Sequence, residues 1–364
     1  VVLTEQTSNQ PIRARLASWI GIATEQARTH RHATLVVSAL VMLVLTVVAR
    51  FETLTMVEPD HDEGAYVVMA QTLRTGGMLY VDAWDNKPPG IYLIYAAAMS
   101  LAPNPIIGVR AAAIAAVWLT SLCLLTVLNL AGRSLVPGVA AGVLYLLYTR
   151  NNGGLAANTE IFLNFLTASG FLCIAAMLFG KSRHSFIWPT LAGLVFGMAV
   201  QIKPIAAFET LAALVLIIIA SEDRVGRRLK VAAAFIGASM LPTAATFTTF
   251  WLAGAWEAYF HANFTTNLTR AGGLSPSWIK PLLFYKWQFS LEARQPILWI
   301  GALMAVPWML FYRRPQDPPR FLVWLGILWL FASIAGLVAQ KTYFTHAFLT
   351  SVPALALLGG WAIA

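Results

Sequence analysis

Ionisable side chains are sparse in this sequence, and two short stretches concentrate them. They are His61-Asp62-Glu63-Gly64 and Trp84-Asp85-Asn86-Lys87-Pro88-Pro89-Gly90. A carboxylate can take a proton from an attacking hydroxyl. Lys87, ahead of two prolines, sits on stiff backbone that has lost two donors; it suits a phosphate or a lipid headgroup. Glu160, in Asn158-Thr159-Glu160, offers another acid, and Lys203 beside Pro204 another cation. The stretch 254–296 interleaves Trp256, Tyr259, His261, Arg270, Trp278, Lys280 and Trp287, as a lipid-phosphate site or sugar-stacking surface would require. Lys341-Thr342-Tyr343-Phe344-Thr345-His346 adds a tyrosine and a histidine.

Each of these residues also has an ordinary structural role. Asp62 and Glu63 fall in the first turn of a helix started by Pro59 and Asp60, where the positive helix end favours carboxylates. Ala65, Val68, Met69 and Leu73 recur at helical spacing, so 60–76 reads as an amphipathic helix lying on a membrane. Lys87 can snorkel to the interface. Asn158 or Thr159 can cap a helix that carries Glu160 in its first turn. Lys203 can simply separate two apolar runs, and an aromatic belt explains much of 254–296 and Tyr343. Residue types alone leave both readings open.

The elements that position these residues follow from composition. The 364-residue chain is 58% hydrophobic and 11% charged, with mean hydropathy +0.68; soluble domains carry about 25% charged residues. An all-α polytopic membrane protein is expected. The net charge of +9 is scattered through loops without a basic groove, which argues against nucleic acid as a partner. Cys123 and Cys173 lie in apolar runs and read as core residues, not as a disulfide or metal pair. No cleavable signal is expected: residues 1–32 are polar and basic, and the first apolar run reads as a span. The last apolar run reaches Ala364, so the sequence leaves open whether further spans or a tail follow it.

Apolar runs at 33–51, 107–131, 135–149, 159–180, 186–202, 204–220, 231–253, 297–312, 321–339 and 346–364 imply about 10 spans. The run 90–102, bracketed by prolines, is too short to cross comfortably and reads as interfacial. The positive-inside rule supports that choice. With 90–102 not spanning, Arg13, Arg15, Arg28 and Arg31 lie inside. So do Arg133, Lys181, Arg183, and the clusters at 224–230 and 313–320. The basic segment 1–32 is then cytoplasmic, and 33–364 forms one membrane domain. Its first outer loop is 52–106 and its large outer loop 254–296. His61, Asp62, Glu63, Asp85, Lys87, Glu160, Lys203, His261, Arg270, Tyr343 and His346 all share the outer face.

His61-Asp62-Glu63-Gly64-Ala65-Tyr66, Tyr80 through Tyr92, Ala157-Asn158-Thr159-Glu160 and Tyr343-Phe344-Thr345-His346-Ala347-Phe348 occur in an order and spacing that carry a resemblance. Over about residues 50 to 364 the chain resembles the bacterial branch of the protein O-mannosyltransferase-like family. That branch includes the aminoarabinose transferases of lipid A and belongs to the GT-C membrane glycosyltransferases. The resemblance implies a GT-C helical bundle with juxtamembrane helices at 60–76 and 90–102. It implies a sugar donor on a polyprenyl phosphate and a lipid, glycan or protein acceptor. The site would face the exterior of the bacterial cytoplasmic membrane. Asp62 matches the acid at the catalytic centre, and Glu63 completes the acidic pair. Lys87 matches a donor-phosphate lysine, and Tyr343 a phosphate-side tyrosine. Arg270 is a looser match to a phosphate-binding arginine. Glu160 matches a second acid that is usually aspartate in the lipid A enzymes. Lys203 is a further candidate for the phosphate; His61, Asp85, His261 and His346 complete the set.

A lipid phosphate is already a charged leaving group, so no general acid is required. A base for the acceptor hydroxyl and cations for the departing phosphate suffice. With one strong base, inverting displacement is the simpler course. No cofactor is required. A divalent metal could find ligands in His61, Asp62 and Glu63, but no spacing demands one. A flippase for a lipid-linked sugar is the alternative from another class, although the charges lie almost entirely outside the apolar runs. An oligosaccharide transferase or ligase, and a subunit without catalysis, are the others.

Overall fold

The computed structural model describes residues 31–55, 60–132, 135–180, 186–220, 225–273, 279–288, 296–311 and 320–362. Arg13, Arg15, Arg28, Arg133, Lys181, Arg183, Arg224, Arg313 and Arg314, which entered the charge count, lie outside these, as do Pro59 and Trp278. Among the described residues there are helices and one isolated bridge between Leu79 and Ala83, and no strand. Lipid offers no partner to a backbone N–H or C=O, so an apolar run must satisfy them internally as a helix.

Helices occupy the apolar runs and also parts of the two loops at 52–106 and 254–296. They are α1 (Arg31–Arg50), α2 (His61–Arg74), α3 (Gly90–Met99), α4 (Pro105–Ala131), α5 (Val136–Tyr148) and α6 (Thr159–Phe179). Then come α7 (Ile187–Val200), α8 (Ala206–Ala220), α9 (Val225–Leu252), α10 (Trp256–Phe260), α11 (Thr266–Gly273) and α12 (Ile279–Gln288). The last are α13 (Pro296–Phe311), α14 (Arg320–Gln340) and α15 (Val352–Ala362). Both stretches expected to form juxtamembrane helices are helical, as α2 and α3.

Among the described residues, five helices are long and apolar enough to cross a membrane: α1 with its 3-10 extension to Leu54, α4, α6, α9 and α14. Helices α5, α7 and α8 have 13, 14 and 15 residues, short of the roughly 20 a perpendicular span takes. Among the described residues, five of the ten expected runs thus carry helices of spanning length, with shorter apolar helices between them. The final apolar run also divides. A 3-10 segment, Thr345–Ser351, precedes α15.

In the core α4 packs on α5 and α6, α7 on α6 and α9, and α15 between α5 and α13. Helix ends then converge at one end of the bundle. Arg50, at the C-terminal end of α1, is buried and donates to Thr149 O at 3.2 Å and to Gly154 O. The Tyr95 hydroxyl of α3 donates to Ala157 O, just ahead of α6, at 2.7 Å. Every candidate site residue is carried by one of these helix ends or the adjoining segments.

Candidate active site

The first turn of α2 carries two acids that point to different places. Asp60, in extended backbone, caps the helix by accepting the Asp62 N–H at 3.1 Å. Asp62 is half-buried and accepts the Tyr66 hydroxyl on Oδ2 at 3.1 Å. Its Oδ1 meets no donor, and no basic group lies within 4.0 Å of it, among the described residues. Burial, then the nearby Asp62 charge, push the Tyr66 hydroxyl well above its ordinary pKa, so it stays protonated and donates. Glu63, one residue on, is 3% exposed and turned inward. Arg110 Nε meets Glu63 Oε1 at 2.8 Å, and the Ala157 N–H meets Oε2 at 3.3 Å. Arg110 also donates to Thr53 O at 2.6 Å. The two acids therefore do not form one cluster.

Lys87 approaches the same tyrosine that donates to Asp62, with Nζ 5.9 Å from the Tyr66 ring centroid. Nζ donates to Asn86 Oδ1 at 2.9 Å. The corner before Pro88 is fastened from beneath by two tyrosines. The Tyr80 hydroxyl donates to Lys87 O at 2.7 Å, and the Tyr92 hydroxyl lies 3.2 Å from the same oxygen. Tyr92 also donates to Asp85 Oδ2 at 2.9 Å, while Asp85 Oδ1 takes the Asn86 N–H at 2.6 Å. Past the prolines, the Gly90 N–H donates to Gln201 O at 2.9 Å, and a Cβ on Gly90 would collide with that carbonyl. Glycine is needed there for close approach to the end of α7.

Glu160 and Lys203 form a second buried pair. Lys203 Nζ meets Glu160 Oε1 at 2.5 Å, with the side chains 5% and 1% exposed. Glu160 Oε2 takes the Thr159 hydroxyl at 2.9 Å. The expected capping differs: Asn158 occupies the N-cap position without a side-chain capping bond. Its Nδ2 donates instead to Asp60 Oδ2 at 2.9 Å. His346 Nδ1 lies 3.9 Å from that same oxygen. The turn before α6 takes positive φ at Asn152 and Gly153, as Asn-Asn-Gly-Gly leads one to expect.

A third group is more open. Arg270, Lys280, Leu283, Phe284, Lys341, Thr342, Tyr343 and Phe344 line a cleft of about 440 Å³ that contains no carboxylate. The Arg270 guanidinium sits 5.6 Å from the Phe344 ring centroid. Lys341 Nζ donates to Ala271 O at 3.0 Å. Lys341 and Tyr343 both have left-handed backbone, φ 58° and 46°, which costs energy for such residues. Burial raises the Tyr343 pKa, so its hydroxyl remains a donor. Helix α11 is joined to the Lys87 loop by an amide pair. Asn267 Nδ2 donates to Asn86 O at 2.9 Å, and Asn86 Nδ2 to Asn267 Oδ1 at 3.2 Å.

The structure thus gathers Asp62, Asp85 and Lys87 around Tyr66 and Tyr92, with His346 nearby on Asp60. Glu63, Glu160 and Lys203 are held in closed ion pairs. Arg270 and Tyr343 share the neighbouring cleft. His61 and His261 are exposed, and His261 only starts a π turn, His261–Thr265. Sequence reasoning passed over Arg110 and the Asn86–Asn267 pair, and gave Asp60 only as a helix start and Tyr66 only as part of a motif. Arg110 had a signal: a lone arginine in an apolar run requires an acid partner. The amide pair joins residues far apart in sequence and had none.

No protein-family model matches the chain, and no curated protein sequence does. Solved structures do. ArnT from Cupriavidus metallidurans bound to undecaprenyl phosphate has TM-score 0.67 over 89% of this chain and 59% of that one, at 16% identity. Its apo state has TM-score 0.61 over the same shares, also at 16% identity. The archaeal oligosaccharyltransferase AglB from Archaeoglobus fulgidus, in complex with an inhibitory peptide and a dolichol-phosphate, has TM-score 0.55. That match covers 92% of this chain and 50% of AglB, at 12% identity. This chain therefore spans 59% of ArnT and 50% of AglB. It carries the fold of the GT-C membrane glycosyltransferases.

Proposed function

We propose that this chain moves a monosaccharide from a polyprenyl-phosphate donor to a hydroxyl of a lipid, glycan or protein acceptor. We place the reaction at the outer face of a bacterial cytoplasmic membrane. The observation that carries the reading is the state of Asp62. It is a half-buried acid at a helix start, with one oxygen unmatched among the described residues, bonded to the tyrosine whose ring Lys87 approaches. The two solved neighbours named with a polyprenyl or dolichol phosphate support a lipid-linked donor.

The step balances simply. The acceptor oxygen attacks the anomeric carbon from the face opposite the phosphate. The carbon–oxygen bond to phosphate breaks, and its electron pair leaves with the lipid phosphate. Asp62 takes the acceptor proton through Oδ1, and the anomeric centre inverts. Lys87 meets the phosphate as its charge grows, with Arg270 and Tyr343 supporting it from the neighbouring cleft. Asp85 orients the Lys87 loop through Tyr92. Glu63 and Glu160 act as positioning residues, with Arg110 and Lys203 neutralising them. Asp60 and His346 hold the start of α2.

The test follows labelled sugar from a panel of polyprenyl-phosphate monosaccharides in membranes carrying wild type or Asp62→Asn. Transfer should fall roughly 10²–10⁴-fold in the variant, with donor binding retained. Equal transfer by both would remove Asp62 as the base. Movement of the lipid-linked sugar across the bilayer without transfer would favour a flippase.

A further inference from the structure

Resting on the reading of Lys87 as the donor-phosphate lysine, we infer that Asn267 of α11 is its positioning residue. Asn267 turns the Asn86 side chain so that its oxygen, and not its NH2, faces the Lys87 ammonium. The two ends of a side-chain amide have the same shape, and only the neighbours decide which way it lies. The neighbours of Asn267 decide it fully. Its Nδ2 lies 2.9 Å from Asn86 O and 2.9 Å from Asn263 O, a carbonyl of the π turn. Backbone carbonyls only accept, so both hydrogens of that NH2 are committed there. Oδ1 is thereby left to face Asn86, and it takes the Asn86 Nδ2 donor at 3.2 Å. That contact fixes Asn86 in turn. With its NH2 toward Asn267, its Oδ1 meets Lys87 Nζ at 2.9 Å. Turned over, Asn86 would set oxygen against oxygen at Asn267, and N–H donors against an ammonium that has only donors.

The consequence falls on the phosphate. An ammonium carries three hydrogens. Asn86 takes one, the Tyr66 ring lies 5.9 Å away, and the rest can meet a phosphate oxygen. Without Asn267 the Asn86 amide is free to turn, Lys87 loses that acceptor, and its flexible stem regains rotamers. The Lys87 carbonyl is held separately by Tyr80 and Tyr92. Losing Asn267 should therefore loosen the tip of the lysine more than the corner that carries it.

The experiment measures affinity of the full chain in lipid nanodiscs for labelled undecaprenyl phosphate. Asn267→Ala should weaken binding about three- to tenfold, the size of one net hydrogen bond; unchanged affinity would overturn the inference. Lys87→Met should weaken it further. Asn267→Ala added to Lys87→Met should then cost less than about twofold, because a residue that acts through another is not additive with it. The same loss in both backgrounds is what a merely structural role gives, and would overturn the inference. The Asn267 effect should persist in Arg270→Ala; its disappearance there would assign Asn267 to placing α11 and overturn the inference too. Should Asn267→Ala fail to fold, Asn86→Leu carries the test. It removes the same oxygen from Lys87 and should weaken binding by a similar factor, and unchanged affinity would overturn the inference. Equal binding by wild type and Lys87→Met would sink the phosphate role of Lys87 and this inference with it. The expected binding pattern in a chain that transfers no sugar would retain the inference and sink the glycosyl-transfer reading alone.

Discussion

Two sets of acids share one end of this bundle, and what distinguishes them is whether a cation meets them. Glu63 and Glu160 are fully buried, and each faces a buried base, Arg110 or Lys203. Asp62 and Asp85 are half-buried and meet only hydroxyl and N–H groups. A lone charge taken from water costs several kcal/mol, and a partner with good geometry offsets much of that. An acid the fold must bury therefore arrives with its counterion. An acid left without one sits where a substrate can still reach it. Adjacent residues on one helix turn, Asp62 and Glu63, fall on opposite sides of this division.

The largest effect expected from breaking the comparison is at Arg110. Arg110→Leu leaves Glu63 buried without its cation and should destabilise the protein by about 3–5 kcal/mol. Thermal unfolding of the detergent-purified chain would read this as a large fall in Tm and in folded yield. Replacing Glu63 and Arg110 together by leucine should recover most of the loss, since apolar replacement of a whole buried pair is often neutral. If Arg110→Leu abolished transfer at unchanged Tm, the buried pair would belong to the chemistry and the division would fail.

Much of this was legible in advance. Apolar runs located the helices because lipid leaves the backbone no alternative, and charge alternation gathered the polar groups at one end. The first turn of α2 was visible from Asp60, Asp62 and Glu63 and their helical neighbours. What stayed hidden was pairing across the bundle. Lys203 and Glu160 are each explicable alone, as a loop marker and a capping acid, and only the packing of α6 on α7 makes them one unit. The same holds for Glu63 and Arg110, drawn together from α2 and α4. Helix length was hidden too: α5, α7 and α8 are apolar throughout yet shorter than a perpendicular crossing.

A smaller effect tests how rigidly the unmatched set is held. Gly90 lies against the Gln201 carbonyl, so Gly90→Ala must push the Lys-Pro-Pro corner away from the end of α7. The overpacking should cost about 1–3 kcal/mol. Because Lys87 rides on that corner, kcat/KM for the donor should fall more than stability alone explains. Transfer rates measured well below Tm separate the two. A drop in Tm with unchanged kcat/KM would show that Lys87 is positioned from Tyr80 and Tyr92 and not from Gly90.

The smallest effect belongs to the open cleft, where cations outnumber acids. Arg270 is exposed and shares the cleft with Lys280 and Lys341. Its contact over Phe344 is of the surface cation–π kind, worth about 0.5–1 kcal/mol. An exposed ion pair is worth about 0.2–1 kcal/mol, and two other cations remain in the cleft, so Arg270→Ala should weaken donor binding only about two- to fivefold. The loss should shrink at high salt, since exposed charges are screened over about 10 Å at 0.1 M ionic strength. A salt titration of donor affinity in wild type and variant reads both. A salt-independent loss far above this range would mean that α11 closes over the donor and buries Arg270. The open cleft would then turn into part of the enclosed site, with its cation matched by substrate where the buried acids are matched by protein.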